Sequence, residues 1–478
     1  MIVVFVLYLV LVVGIAIWSA LRAKTHEDYV IGGKKISGIS LALSERATGE
    51  SAWLILGLTG HAFVDGISTI WVALGCVIGI VFIWLVMANP LRIATEKTGA
   101  MTIPSLLARR FPGTEKSVGI ISALIVVFFF VFYIAAQFSG AGKVFHDTFG
   151  LSPFWGMVIG AGIVTLYTVL GGFITVVATD VFQAVLMIFT LIIMPIILLV
   201  FLASNNISLA QKLSEAGPHM TSLTGGATGV AAVILILNGL SWAFGYTGQP
   251  QLLARMMALR NAKESNSAQW VAVIWTIIAY AGAIVIGIAG YALIKGGVAG
   301  VDAAKVANDS EQIMPALVVG LMHPILAGIL LSGAVSAMMS TASSELIVCS
   351  SSISEDMYTN IAKLPMKGRL ALNKLLTLGV GVVAILMVIF MKDTVYSLVS
   401  YAWAGIGSSF GPALLLLLFW KRFSRAGLYA SLICGTFGAI IWKMFLVTPT
   451  GISERLGSFV FAFTMAVLAS LIWPEKKN

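Results

Sequence analysis

Apolar runs long enough to cross a lipid bilayer recur from one end of this 478-residue chain to the other. A helical crossing takes about 20 mostly apolar residues. Thirteen stretches qualify, near 2–21, 37–60, 67–91, 117–142, 153–170, 174–203, 228–247, 268–294, 325–353, 371–391, 394–420, 426–447 and 456–473. The composition leaves no soluble alternative at this size: 59% of residues are hydrophobic, 10% are charged and the mean hydropathy is +1.00. The fold class expected is an all-α polytopic membrane protein with about 13 transmembrane helices.

A net charge of +9 would point to nucleic acid in a soluble chain, but here its distribution carries the information. Basic residues crowd alternate loops: Arg22, Lys24, Lys34 and Lys35; Arg92, Lys97, Arg109, Arg110 and Lys116; Arg255, Arg260 and Lys263; Lys363, Lys367, Arg369 and Lys374; Lys421, Arg422 and Arg425; Lys476 and Lys477. The opposite loops hold only Lys143, Lys212, Lys295, Lys305, Lys392, Lys443 and Arg455. The positive-inside rule then sets the N-terminus outside and the C-terminus inside, in the cytoplasmic (inner) membrane. The first apolar run lacks the basic flank of a signal peptide and reads as a retained helix. The three cysteines, Cys76, Cys349 and Cys434, fall inside separate spans and suggest neither a disulfide framework nor a metal cluster.

The longest loops, roughly 92–116, 204–227 and 295–314, are too short to bury a core, so function is expected among the helices. Two spans are interrupted in mid-course by polar residues and glycine. The second contains ERATGES (residues 45–51), and the seventh contains NGLSWAFGYTGQP, with Asn238, Gly239, Gly245, Gly248 and Pro250. They lie five spans apart, the spacing of inverted-repeat transporters, in which a discontinuous helix opens each repeat and bares backbone groups near the midplane. The expected division is 1–36 for an extra helix and loop, 37–203 and 204–420 for the repeats, and 421–478 for two further helices. Two unrelated glycine kinks are the plainer alternative.

Charges in mid-membrane are costly and usually face a cavity or a partner. In ERATGES, Arg46 and Glu50 stand at i, i+4 and would be neighbours on a helix. They read either as a self-neutralising pair or as flanks of a loosened turn, where Gly49 frees carbonyls near Ala47 and Glu50 for a cation. In LLSGAVSAMMSTASSELI (residues 330–347), Ser340, Thr341, Ser343 and Ser344 supply oxygens on neighbouring helical positions. They suit a hard cation such as sodium, or they are packing serines bonded to their own helix. Asp180 enters the sixth span after a Gly-Gly turn, as an ion-pathway residue or as a helix cap. Trp53 follows the first break, Trp242 and Tyr246 sit at the second and Tyr133 lies in the fourth span; aromatic faces gathered at both breaks pack or enclose a small apolar or cationic solute. Phosphate-cradling and zinc motifs are missing, and the five histidines lie outside the span centres.

These motifs together resemble the sodium:solute symporter family, most closely its sodium/proline members. The likeness runs from EDYVIGGKKISG through SAWLILGLTG, YTVLGGF, GYTGQPQLLARMMA and STASSELIVCSSSISEDMY to SYAWAGIGSSFGP. It implies a leucine-transporter-type inverted five-helix repeat and alternating access driven by Na+. It also implies a sodium site at Ala47, Glu50, Ala337, Ser340 and Thr341, and a substrate cage at Trp53, Tyr133, Trp242 and Tyr246 with Ser51 and Gln249. A second sodium site, as in members resembling sialic acid symporters, would use Asp180, Ser340, Ser343 and Ser344. The chain departs from the proline carriers where Gly49 replaces an acidic residue and Arg46 a small one. Either Glu50 or Glu45 then supplies the missing negative charge, or Arg46 pairs with Glu345 as a gate. The expected activity is sodium-coupled import of L-proline, a carrier rather than an enzyme. Another small amino acid, a carboxylate such as pantothenate, or a sugar acid is the alternative substrate. A membrane sensor is disfavoured by the short WPEKKN tail, and a passive channel by the paired breaks.

Overall fold

A computed structural model of the chain describes residues 1–22, 26–358, 366–390 and 393–475. Of the basic residues counted above, Lys24, Lys363, Lys392, Lys476 and Lys477 lie outside the described residues. Among the described residues the protein is helical and contains no strand.

Among the described residues, eleven helices are long and apolar enough to cross a membrane, and two of them join neighbouring crossings. Trp53–Thr98 is interrupted at Gly66 (φ 60°, ψ −136°) and Pro153–Ser204 at Gly172 (φ 64°, ψ −148°). Glycine adopts these backbone conformations without the steric cost that a Cβ would bring. Parted at the two glycines, with 38–65 taken as one crossing, the segments number thirteen. Both glycines fall in the short gaps between the apolar runs marked in the sequence.

The N-terminal helix Ile2–Ala20 shows how faces are assigned. Phe5, Tyr8, Val12 and Ala16 form one buried stripe against Pro153–Ser204 and Pro324–Ser351, whereas Val3, Val10 and Leu11 are exposed. An apolar exposed face is what lipid requires. The serine-rich helix Pro324–Ser351 is the opposite case, with 83% of its most apolar window buried. It packs against Pro153–Ser204, Glu115–Phe149 and Gly38–Gly49, and its small residues allow that close approach. Its serines are therefore central to the bundle.

Both interruptions sit where the sequence places them, but they differ in form. The first broken helix starts at an N-cap, Ser37, which accepts from the Ser40 amide, and runs Gly38–Gly49. Glu50 then leaves the helical region (φ −109°, ψ 11°), and Trp53–Leu58 is wound as a π-helix. This break is narrower than a fully unwound segment. The second broken helix comprises Gly229–Leu240 and Trp242–Tyr246, parts at Thr247 to Gln249, and resumes as Pro250–Met257. Gln249 is extended (φ −78°, ψ 105°), and Pro250 at the first helical position sacrifices no bonded amide.

Candidate functional site

Oxygens gather where the serine-rich helix crosses the first break. Ser340 Oγ donates to the Ala47 carbonyl at 2.8 Å and lies 3.1 Å from that of Ala337. Thr341 Oγ1 donates to the Thr48 carbonyl at 2.8 Å and lies 2.9 Å from the same Ala337 oxygen. The Thr48 carbonyl is available to Thr341 because its ordinary helical partner, the Ala52 amide, donates instead to Gln137 Oε1 at 2.8 Å. Ala47, Ala337, Ser340 and Thr341 are thus brought together. Thr48 and Gln137 were not singled out in the sequence; the four-residue step from Thr48 across the break to Ala52 was the only signal.

Arg46 is fully buried and pairs locally. Its guanidinium forms a two-point contact with Glu45, through Nε at 2.6 Å and through Nη2. Nη1 donates to Glu50 Oε1 at 3.2 Å and to Thr276 Oγ1 at 3.0 Å. Trp84 Nε1 donates to the same Glu45 carboxylate at 3.0 Å. The expected i, i+4 neighbourhood of Arg46 and Glu50 is present, but a pairing of Arg46 with Glu345 is not. Glu45 and Glu50 are nearer in sequence and use up the guanidinium, while both Glu345 oxygens are buried without a hydrogen-bond partner. Glu50 Oε2 is likewise unpartnered. Gly49 belongs to this cluster, since a Cβ there would lie 3.3 Å from Arg46 Nη2. Arg46 fills the space that a side chain at Gly49 would use.

Asp180 is fully buried and ties helices together rather than capping one. Its Oδ2 accepts from Ser44 Oγ at 2.6 Å, Thr48 Oγ1 at 3.3 Å and Arg255 Nη2 at 3.2 Å. Ser344 Oγ is 2.9 Å from Thr48 Oγ1 and accepts from Arg255 Nη2 at 2.6 Å. Ser343 turns to the Ser340 carbonyl at 3.0 Å. Asp180 and Ser344 therefore share one centre, Ser340 and Ser343 lie outside it, and the cation at that centre is the Arg255 guanidinium. Arg255, counted among the loop cations in the sequence, is 1% exposed. The Pro250–Met257 helix after the second break folds it back into the bundle.

The aromatic residues converge. Trp53 and Trp242 stack with ring centroids 4.3 Å apart and planes 8° from parallel, and Tyr396 stands edge-on to both. Tyr246 meets Trp403 at 4.7 Å, and its hydroxyl lies 2.9 Å from that of Tyr280. Tyr133 reaches Trp403 at 6.5 Å and Ser51 Oγ at 3.5 Å, and Gln249 Nε2 donates to the Trp403 carbonyl at 3.2 Å. All six substrate-site residues named from the sequence lie in this cluster or bond to it. Trp403, Tyr280 and Tyr396 are additions; Trp403 lay within SYAWAGIGSSFGP, a motif that spacing alone did not place at the breaks. The stacked indoles of Trp53 and Trp242 are fully buried. A cavity of about 680 Å³ lies on one side of them, and one of about 30 Å³ reaches Arg255 and Ser344 on the other.

The model of the sodium:solute symporter family matches residues 29–435. The sodium/proline symporter of Escherichia coli (strain K12) is 35% identical over 477 residues, 99% of this chain and 93% of that protein. The osmoregulated proline transporter OpuE of Bacillus subtilis (strain 168) is 34% identical over 461 residues, 95% of this chain and 91% of that protein. Among solved structures, the substrate-bound, outward-open Na+-coupled sialic acid symporter superposes with a TM-score of 0.79 at 17% identity, covering 100% of this chain and 98% of that one. That likeness fixes the fold as the leucine-transporter type. The motifs, the fold and the length of the match agree: this chain belongs to the sodium:solute symporter family.

Proposed function

We propose that this protein is a sodium-coupled importer of L-proline that works by alternating access in the cytoplasmic membrane, with its N-terminus outside and C-terminus inside. The reading is carried by one observation: carbonyls freed at the first break and hydroxyls of the serine-rich helix meet a few residues from a closed aromatic cage. Carbonyl and hydroxyl oxygens suit a hard monovalent cation. Sodium is held by Ala47, Glu50, Ala337, Ser340 and Thr341, and proline by Trp53, Tyr133, Trp242, Tyr246, Ser51 and Gln249. The repeats run 37–203 and 204–420, so that each begins with its broken helix. Sodium binding pulls the first break and the serine-rich helix together, and this couples ion occupancy to the indole lid.

The names of the relatives support proline as the solute. The test is uptake of labelled proline into proteoliposomes with and without an inward sodium gradient, with Trp53→Ala as control. Gradient-driven accumulation lost in the variant is expected. Sodium-dependent thermal protection without proline accumulation would leave the ion site and remove the solute assignment.

A further inference from the structure

The cavity of about 680 Å³ beyond the stacked indoles is lined by His61, Asp65, Trp71, Asn238, Tyr396 and Arg455, among others. Arg455 is the unusual member. It is one of few cations in the loops opposite the basic ones, and its side chain is only 9% exposed. It also sits in the first turn of Glu454–Ile472, where the helix dipole disfavours positive charge. Its partners hold one side of the guanidinium only. Nη1 contacts Ser400 and lies 3.6 Å from Glu454, and the group covers the Trp242 ring at 4.5 Å. Nε is buried without a partner, and Nη2 has only a long 3.5 Å contact to the Asn238 carbonyl.

Nε and Nη2 form the side-on fork of arginine, which matches the two oxygens of a carboxylate. A carboxylate placed there gains the fork, the cation and the N-terminal dipole of the helix together. Asp65, 45% exposed and 2.7 Å from His61, also lines the cavity and offers the opposite charge. We propose that this cavity is an outer binding station for a zwitterionic amino acid, whose carboxylate is taken by the Arg455 fork before the indole lid opens. Because the same guanidinium covers Trp242, drawing it toward a carboxylate uncovers one half of the lid. Arrival of solute is thereby coupled to opening. The proposal rests on the transport reading above and adds a second, outer place for the same solute.

The test uses the full chain in nanodiscs and proteoliposomes with labelled proline. In Arg455→Gln, the KM for uptake rises about tenfold, the loss expected for a charged hydrogen bond, and the saturating rate falls by less. Arg455→Lys keeps the charge but not the fork, and recovers only part of the loss. In Trp53→Ala, which lacks the inner cage, weak sodium-independent proline binding persists and is abolished by adding Arg455→Gln. If Arg455→Gln does not yield folded protein, prolinamide is the second probe: lacking a carboxylate, it fails to displace proline from Trp53→Ala. An unchanged KM with binding indifferent to residue 455, or displacement by prolinamide equal to that by proline, overturns the station while the carrier stands. A wild-type protein that neither binds nor accumulates proline removes both.

Discussion

At the residue scale, the departures at 45–50 form one unit. Both oxygens of the Glu45 carboxylate are engaged, by Arg46 and Trp84, whereas Glu50 has one oxygen unpartnered at the helix interruption itself. Of the two carboxylates, Glu50 is therefore the one with an oxygen left over for a cation. In Glu50→Gln the sodium concentration for half-maximal uptake should rise about tenfold, equivalent to roughly 1.4 kcal/mol. Glu45→Gln should act on stability, because removing one partner of a buried ion pair costs about 3–5 kcal/mol, read as a lower unfolding temperature. The opposite pattern, with stability lost at 50 and sodium affinity at 45, would reverse the assignment. Gly49→Asp supplies a second test. Alone, its carboxylate is captured by the Arg46 guanidinium that fills that space, and sodium affinity gains nothing. Combined with Arg46→Ala the carboxylate is released to the ion, so the pair should be strongly non-additive in sodium half-saturation; simple additivity would show the two positions to be independent. Little of this packing was legible in the residue letters. The i, i+4 step showed that Arg46 and Glu50 are neighbours, but the two-point hold of Glu45 and the space over Gly49 depend on side-chain direction.

At the element scale, Arg255 is the bolt between broken helices. From Pro250–Met257 it bonds Ser44 and Thr48 on the first broken helix, Asp180 on Pro153–Ser204 and Ser344 on the serine-rich helix. A second sodium ion at Asp180 and Ser344 would compete with this bolt for the same oxygens. Two ions would then bind only with Arg255 swung away, which would tie second-site occupancy to movement of Pro250–Met257. Arg255→Gln should therefore raise the Hill coefficient for sodium above that of the wild type, and adding Asp180→Ala should return it to one. A coefficient of one in all three proteins would leave Asp180 a structural ion-pair partner. The span pattern and both glycine-marked interruptions were readable from the sequence, because hydropathy, glycine and proline act over a few adjacent residues. Arg255 was not, since LLARMMA reads as the start of a basic loop and its burial follows only from the packing of Pro250–Met257 after the break at Thr247 to Gln249. Trp403 was hidden for the same reason: it reaches the cage through contacts between Val395–Phe419 and Trp242–Tyr246, which no local spacing reports.

At the scale of the whole molecule, the two cavities on either side of the aromatic closure make alternating access testable without transport. Val72 lines the larger cavity and Ser351 the smaller one, and they are 5% and 3% exposed. With Cys434 replaced by Ser, since it is the partly exposed native thiol, cysteines at these two positions report on opposite sides. Sodium at a hundredfold excess over its dissociation constant contributes about 2.7 kcal/mol to whichever state binds it, a population shift of roughly a hundredfold. That is enough to move a minor outward-open state to a substantial fraction, because such states usually lie within a few kcal/mol. Sodium alone should thus speed hydrophilic maleimide labelling of Val72→Cys and slow that of Ser351→Cys. Proline added with sodium should protect Val72→Cys again, as Trp53 and Trp242 close over the solute. Labelling that rises at both positions together would describe a continuous aqueous path, and labelling unmoved at both would place the sodium effect outside this closure. Reciprocal change follows only if the stacked indoles and the Arg255 centre are two closures of one pathway, never open together.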